Sequence, residues 1–388
     1  MLLLILSFCG FVSAMSGRMV DPAVTAIAAD LAAPISLVGL LASAYTLPFA
    51  FIQPVLGPLG DIFSKTRVIK IAVVLLAIFS ALGAVAPNLD TLVVSRILAG
   101  IAGGGILPVA FALIGDSVRM ADRQVAISRF LAATLLGQIV GASFAGVLAD
   151  TVGWRGIFWT ATTLASAIAA TAIIKLPETK PRQQRAQKLT AAIGNYGAVL
   201  RNPPSVVCFG AVAVEGAVIF GWLPYIGSFL KKNGMGGSKE AGFVISGLAV
   251  GGLLYSLSVP TLLRFVSRRG MMAMGGLFAA AGLVFISIAT TWQAECAFMA
   301  VTGFGFFMLH NPLQTEVSEL APEARSSAFS LHAFSYYSGQ AVGPLVYSVG
   351  MNHFGLSICL VFGAVGFLSA GLAAPLLLTL LSRRTRHV

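Results

Sequence analysis

Apolar runs long enough to cross a bilayer recur along nearly the whole chain, and that recurrence decides what it can fold into. A membrane-spanning helix needs about 20 predominantly apolar residues. Runs of that kind lie near 2–24, 36–56, 68–86, 91–114, 126–148, 156–175, 205–228, 241–262, 271–290, 295–315, 327–349 and 356–381. Hydrocarbon offers no partner to backbone N–H and C=O groups, so such runs must close their own hydrogen bonds as helices. The expected fold is an all-α membrane protein with twelve transmembrane helices in two pseudo-symmetric six-helix bundles. Composition agrees, with 57% hydrophobic and 10% charged residues and a mean hydropathy of +0.90. A soluble domain carries about 25% charged residues, so lipid is expected to solvate most of this surface.

The net charge of +11 would point to nucleic acid in a soluble domain. Here the basic residues sit between apolar runs and form no aromatic-studded face, so a nucleic-acid partner is not expected. Cys9, Cys208, Cys296 and Cys359 all fall inside apolar runs without paired spacing. They read as small hydrophobes, with neither a disulfide framework nor a metal site. The segment Met1–Phe11 lacks the basic flank of a signal peptide and reads as the start of the first span.

One long polar connection, Leu176–Pro204, separates an N-terminal bundle (1–175) from a C-terminal bundle (205–388), with 176–204 as a cytoplasmic linker. With the N-terminus inside, nineteen of the 25 Lys and Arg residues fall on the inner side and four outside, and Arg18 and Arg96 lie within spans. By the positive-inside rule both termini are then cytoplasmic. The halves also resemble each other. A shift of 202 lays Arg123 on Arg325, Ala126 on Ala328, Ser128 on Ser330, Gly137-Gln138 on Gly339-Gln340 and Gly141 on Gly343. Parallel six-helix repeats are a transporter architecture.

The turn between the second and third runs, Gly57-Pro58-Leu59-Gly60-Asp61-Ile62-Phe63-Ser64-Lys65-Thr66-Arg67, packs one acid and two bases into very few residues. It resembles the motif G-x-L-[AG]-D-R-x-G-R-[KR] of the major facilitator superfamily. Gly57, Leu59, Gly60, Asp61 and Lys65 match, while Ile62 and Ser64 replace a base and a glycine. Leu92, Arg96 and Gly100 resemble the family's helix 4 signature. Gly137, Gly141 and Gly146 resemble its helix 5 antiporter signature, with Ala142 and Ala145 in place of the proline and the first paired glycine. Gly343-Pro344 retains that pair in the second half. Arg18 and Asp21-Pro22 resemble helix 1 of the arabinose- and drug-efflux-like members. Together these imply a twelve-helix, proton-coupled antiporter that exports small amphipathic compounds (drugs, sugars or metabolites) by alternating access. It would sit as a monomer in a bacterial cytoplasmic (inner) membrane, not as an enzyme, with the proton gradient as energy source and no cofactor. A proton-coupled uptake symporter uses the same scaffold. A polytopic sensor without flux is the reading of another class.

Ionisable groups inside spans are costly and so are functional candidates. Glu215 lies mid-span between Val214 and Gly216, where burial disfavours the charged form and suits a group that gains and loses a proton each cycle. Arg18 and Asp21, three apart, share a helix face and serve either as a structural pair or in coupling. Arg96 either snorkels or, as the resemblance implies, takes part in proton transfer. The expected coupling set is therefore Glu215, Asp21, Arg96 and Arg18. A cytoplasmic gate is expected from Gly57, Gly60, Asp61, Lys65 and Asp116, with Asp61 against the start of helix 11 near Ser326 and Ser327, and Lys65 paired to Asp116. Gly137, Gly141, Gly146, Gly339, Gly343 and Pro344 are expected at helix contacts. Tyr45, Gln53, Trp222, Tyr225, Asn311, His332 and Tyr336 are cavity candidates, and His310 reads as a structural histidine. No G-x-x-x-x-G-K-[ST] occurs, so ATP-driven transport has no support.

Overall fold

The structure, a computed structural model, describes residues 1–62, 64–178, 194, 196–320 and 325–384, the side chains of 56–62, 120–125, 128, 318, 325–326 and 383–384 excepted. Among the described residues all regular structure is helical. We number the long segments α1 (Leu2–Asp30), α2 (Leu41–Ile62), α3 (Lys65–Ala84), α4 (Leu89–Ser117), α5 (Met120–Thr151) and α6 (Gly153–Lys175). The second half supplies α7 (Pro203–Lys232), α8 (Ser238–Phe265), α9 (Arg268–Ser287), α10 (Trp292–Leu320), α11 (Arg325–Phe354) and α12 (Leu356–Arg384).

Among the described residues, eleven of these twelve segments are long and apolar enough to cross a membrane; α11 is not one of them. Its 30 residues suffice in length, but His332, Ser335, Tyr336, Tyr337, Ser338 and Gln340 follow one another too closely. The eleventh expected run is thus a polar helix that must turn much of its surface inward. Several helices also outrun their apolar stretches: α5 begins at Met120 and α10 ends at Leu320. Helix propensity carries a helix past the point where hydropathy ends.

Two compact units divide the chain. Unit 1 comprises Met1–Thr190 with Pro224–Ser228 and Gly237–Gly242; unit 2 comprises Ala191–Leu223, Phe229–Gly236 and Phe243–Val388. Large apolar side chains face outward along both, among them Leu136 and Ile173 in one and Leu257 and Leu376 in the other. Exposed apolar surface on this scale requires lipid as the solvent.

The internal repeat appears in the backbone at the same offset as in the sequence. In α1 the helix breaks into a 3₁₀ turn at Asp21–Ala23, and in α7 at Leu223–Tyr225, both 202 residues apart. Pro22 and Pro224 occupy matching places and withhold the N–H that a continuous helix needs. The fifth-to-sixth and eleventh-to-twelfth turns both rest on a glycine of positive φ, Gly153 at 76° and Gly355 at 80°. In unit 1 an added Cβ at Gly137 would meet the Phe11 carbonyl oxygen at 2.3 Å, and at Gly141 the Met15 oxygen at 2.6 Å. In unit 2 a Cβ added at Gly339 or Gly343 would meet the Ala213 or Ala217 oxygen at 2.1 or 2.4 Å. Phe11 and Ala213, and Met15 and Ala217, are again 202 apart, so α1/α5 and α7/α11 cross in one register. Gly146 faces the backbone of Ser238 and Gly242 within unit 1, and Pro344 lies inside α11.

Candidate functional site

The break in α1 places three charged side chains in one buried cluster of unit 1. Arg18 reaches Asp21 at 3.4 Å, with side-chain exposures of 8% and 0%. Arg96, on α4, is 1% exposed and donates from Nη2 to the Ser16 carbonyl at 2.9 Å. Its guanidinium lies 4.3 Å from the centre of the Tyr45 ring, a cation–π contact. Arg96 therefore does not snorkel; it turns inward, and both Arg18 and Arg96 act electrostatically on Asp21. Polar capacity is left over: Asp21 Oδ1, Ser16 Oγ, and Arg96 Nε and Nη1 have no hydrogen-bond partner among the described residues. Tyr45, by contrast, donates its hydroxyl to the Ser13 carbonyl at 2.9 Å. Gln53 donates to the Gly104 carbonyl at 3.2 Å.

Unit 2 holds a second cluster, built from α7, α10 and α11. Glu215 is fully buried, and its Oε2 lies 2.8 Å from Nδ1 of His310. Two states satisfy that contact: an imidazole N–H donating to a carboxylate, or a carboxylic acid donating to a bare ring nitrogen. In either state one hydrogen lies between two side chains deep within spans. His310 in turn stacks on Phe306 and lies 5.2 Å from His332 and 5.0 Å from Tyr336, centre to centre. Here too the bonding is incomplete, since Glu215 Oε1 and both ring nitrogens of His332 have no hydrogen-bond partner among the described residues. Uncompensated polar atoms in a dry interior each cost a few kcal/mol, ~1–3 for a typical group.

Sequence alone reads His310 as structural, and its place in this pair is the main addition the structure makes. Glu295 is another. It sits in the first turn of α10 at the edge of an apolar run, where an acid ordinarily meets headgroups, yet it is fully buried with neither oxygen hydrogen-bonded among the described residues. Of the remaining cavity candidates, Trp222 and Tyr225 are fully buried, Tyr225 against Gly39. Asn311 lies beside the Tyr255 hydroxyl, and Tyr336 lies edge-on to Phe220. Among the described residues no group of His, Cys, Asp and Glu side chains forms a metal site.

The side chains of Gly57, Gly60 and Asp61 at the turn from α2 to α3, and that of Ser326, lie outside the described residues. Lys65 does pair with Asp116, at 2.5 Å. The contact ties α3 to α4 inside unit 1. Unit 2 repeats the device one place on, where Arg268 at the start of α9 meets Glu319 at the end of α10 at 3.2 Å. At the other end of unit 1, Asp30 accepts from Trp154 Nε1 at 3.0 Å and pairs with Arg155, which also donates to the Ala86 carbonyl.

The family model of the Major Facilitator Superfamily matches residues 6–344. Similar curated proteins include the efflux pump radE of Floropilus chiversii, 28% identical over 49% of this chain and 36% of that one. A probable actinorhodin transporter of Streptomyces coelicolor is 31% identical over 43% of this chain and 29% of its own length. The multidrug transporter protein MdtP of Bacillus subtilis is 31% identical over 38% and 27%. The chain spans about a third of the length of the curated relatives it matches. Among solved structures, a bacterial homologue of the human lysosomal transporter Spinster superimposes with a TM-score of 0.77 at 16% identity, over 97% of this chain and 96% of that one. A mutant of the nucleoside transporter NupG gives 0.79 at 16% identity, over 96% and 99%. These structural likenesses establish the fold.

Proposed function

Because this chain belongs to the Major Facilitator Superfamily, we propose that it is a secondary active transporter, a proton-coupled antiporter that exports small amphipathic compounds by alternating access. The observation that carries the coupling is the Glu215–His310 contact at 2.8 Å, buried within spans and short of one partner. With a proton on the pair, both groups are neutral or mutually compensated and the unit is at ease in lipid. Without it, a bare carboxylate beside a neutral imidazole is expensive in a low-dielectric interior, and the conformational cycle is biased accordingly. Arg18, Asp21 and Arg96 form a second charged centre in unit 1, suited to hold the complementary charge state. The efflux names among the relatives support the direction of transport. The excess of basic residues on one side supports cytoplasmic termini in a bacterial cytoplasmic membrane.

The test is a substrate screen in acid-loaded inverted vesicles containing the protein, followed with a pH-sensitive dye. Export by antiport gives alkalinisation on adding a substrate and resistance when cells overproduce the protein. Proton influx with accumulation in intact cells establishes uptake instead. Absence of flux in liposomes across a broad panel favours a sensor.

A further inference from the structure

The polar character of α11 has a basis beyond packing. Measured at 1.5 Å per residue, Glu215 lies about 18 Å along α7 from its start at Pro203. By the same rise, His310 lies about 15 Å from the end of α10 at Leu320, and His332 about 10 Å into α11. All three helix ends belong to one end of unit 2, so the three side chains descend in order toward it. Glu215 touches His310 directly, at 2.8 Å, and the His332 ring neighbours that of His310, 5.2 Å between centres, without a hydrogen bond between the two rings. His332 is 3% exposed, and neither ring nitrogen is spent on a hydrogen bond among the described residues. A buried imidazole held only for packing gains nothing over a phenyl ring, whereas one that must accept and release a proton needs a nitrogen left open.

We infer that His332 is the second carrier in a proton relay that runs from Glu215 through His310 toward the end of unit 2 where α7 begins. A proton leaving the Glu215 carboxyl is accepted at Nδ1 of His310. Rotation of these neighbouring rings brings Nε2 of His310 within hydrogen-bond reach of an open nitrogen of His332, which takes the proton from Nε2 while His332 passes its own on toward the unit's end. One proton moves, no electron does, and reversal restores the starting tautomers. The titratable group facing this path beside His310 is Tyr336 on α11, and Tyr347 lies beyond Glu215, against Gly221 and Gly363. Nearer the end lies Glu316 on α10, which acts electrostatically on Cys208 of α7.

The inference rests on Glu215 being a proton-binding group, and one experiment separates the two claims. The full chain is reconstituted in lipid and its carboxyl C=O infrared band is followed while the bathing buffer is changed from H₂O to D₂O, with Glu215→Gln to assign the band. A positioned proton-transfer group contributes about 10²–10⁴-fold. His332→Asn, and His332→Gln as a second variant, should therefore slow deuteration of that band at least about tenfold while bulk amide deuteration is unchanged. A smaller slowing, with the band still removed by Glu215→Gln, overturns the relay and leaves Glu215 as the coupling group. If no titrating carboxyl band is lost in Glu215→Gln, the coupling reading fails and the relay with it.

Discussion

Gly339→Ala offers a direct measure of how closely the repeat-related helices cross. The new Cβ would stand 2.1 Å from the Ala213 carbonyl oxygen and 2.9 Å from its Cα, and real Cβ atoms essentially never come within 3.0 Å. The obstacle is backbone, so no side-chain rotation relieves it, and α7 and α11 must separate by about 1 Å. Overpacking of this kind costs about 1–3 kcal/mol, against which alanine returns about 1 kcal/mol of helix propensity. Gly210→Ala supplies the control, because Gly210 has nothing within 4 Å of an added Cβ and gains the propensity alone. The difference between the two variants therefore isolates the steric term, about 1–3 kcal/mol. Unfolding in mixed micelles by titration with denaturing detergent measures both on one scale. The repeat adds a demand: Gly137→Ala, at 2.3 Å from the Phe11 oxygen, should fall with Gly339→Ala and not with Gly210→Ala. Equal stability of Gly339→Ala and Gly210→Ala would refute the close crossing.

Other expectations follow from the two clusters and the turns. His310→Ala strands a buried carboxyl and should destabilise by about 3–5 kcal/mol if Glu215 is charged; in a double-mutant cycle with Glu215→Gln the losses should be clearly less than additive. Lys65→Ala and Arg268→Ala remove equivalent pairs at the ends of helices, each with a half-exposed carboxylate. Each should cost at most about 1 kcal/mol in the same unfolding assay. Asp61→Asn should lower the transport rate more than substrate affinity, and an unchanged rate would reduce that turn to a topology signal.

Much of this was legible in the sequence because a bilayer permits so few folds. Apolar run length marks eleven of the twelve long helices among the described residues, and the offset of 202 found in a handful of residues of α5 and α11 reappears in the breaks of α1 and α7. Glu215 stood out because hydrocarbon tolerates an acid amid valines only at a cost. The rest was hidden for identifiable reasons. The Glu215 partner lies 95 residues away, and a histidine in an apolar run carries no sign of what it faces across a helix contact. Glu295 was masked by its position at the edge of a run, where depth depends on neighbours and not on hydropathy. Arg96 shared that ambiguity until the ring of Tyr45 and the carbonyl of Ser16 placed its head inside. The Lys65–Asp116 pairing was readable from charge and topology, and both helices fall in one unit.

Proton coupling through Glu215 is the central claim, and its most direct measurement is proton movement accompanying substrate flux in proteoliposomes loaded with a pH-sensitive dye. The wild-type chain should move protons against substrate and respond to an imposed pH gradient. Glu215→Gln, folded to the same extent by the micelle assay, should lose the response to the gradient. Full gradient-driven transport by Glu215→Gln would contradict the account.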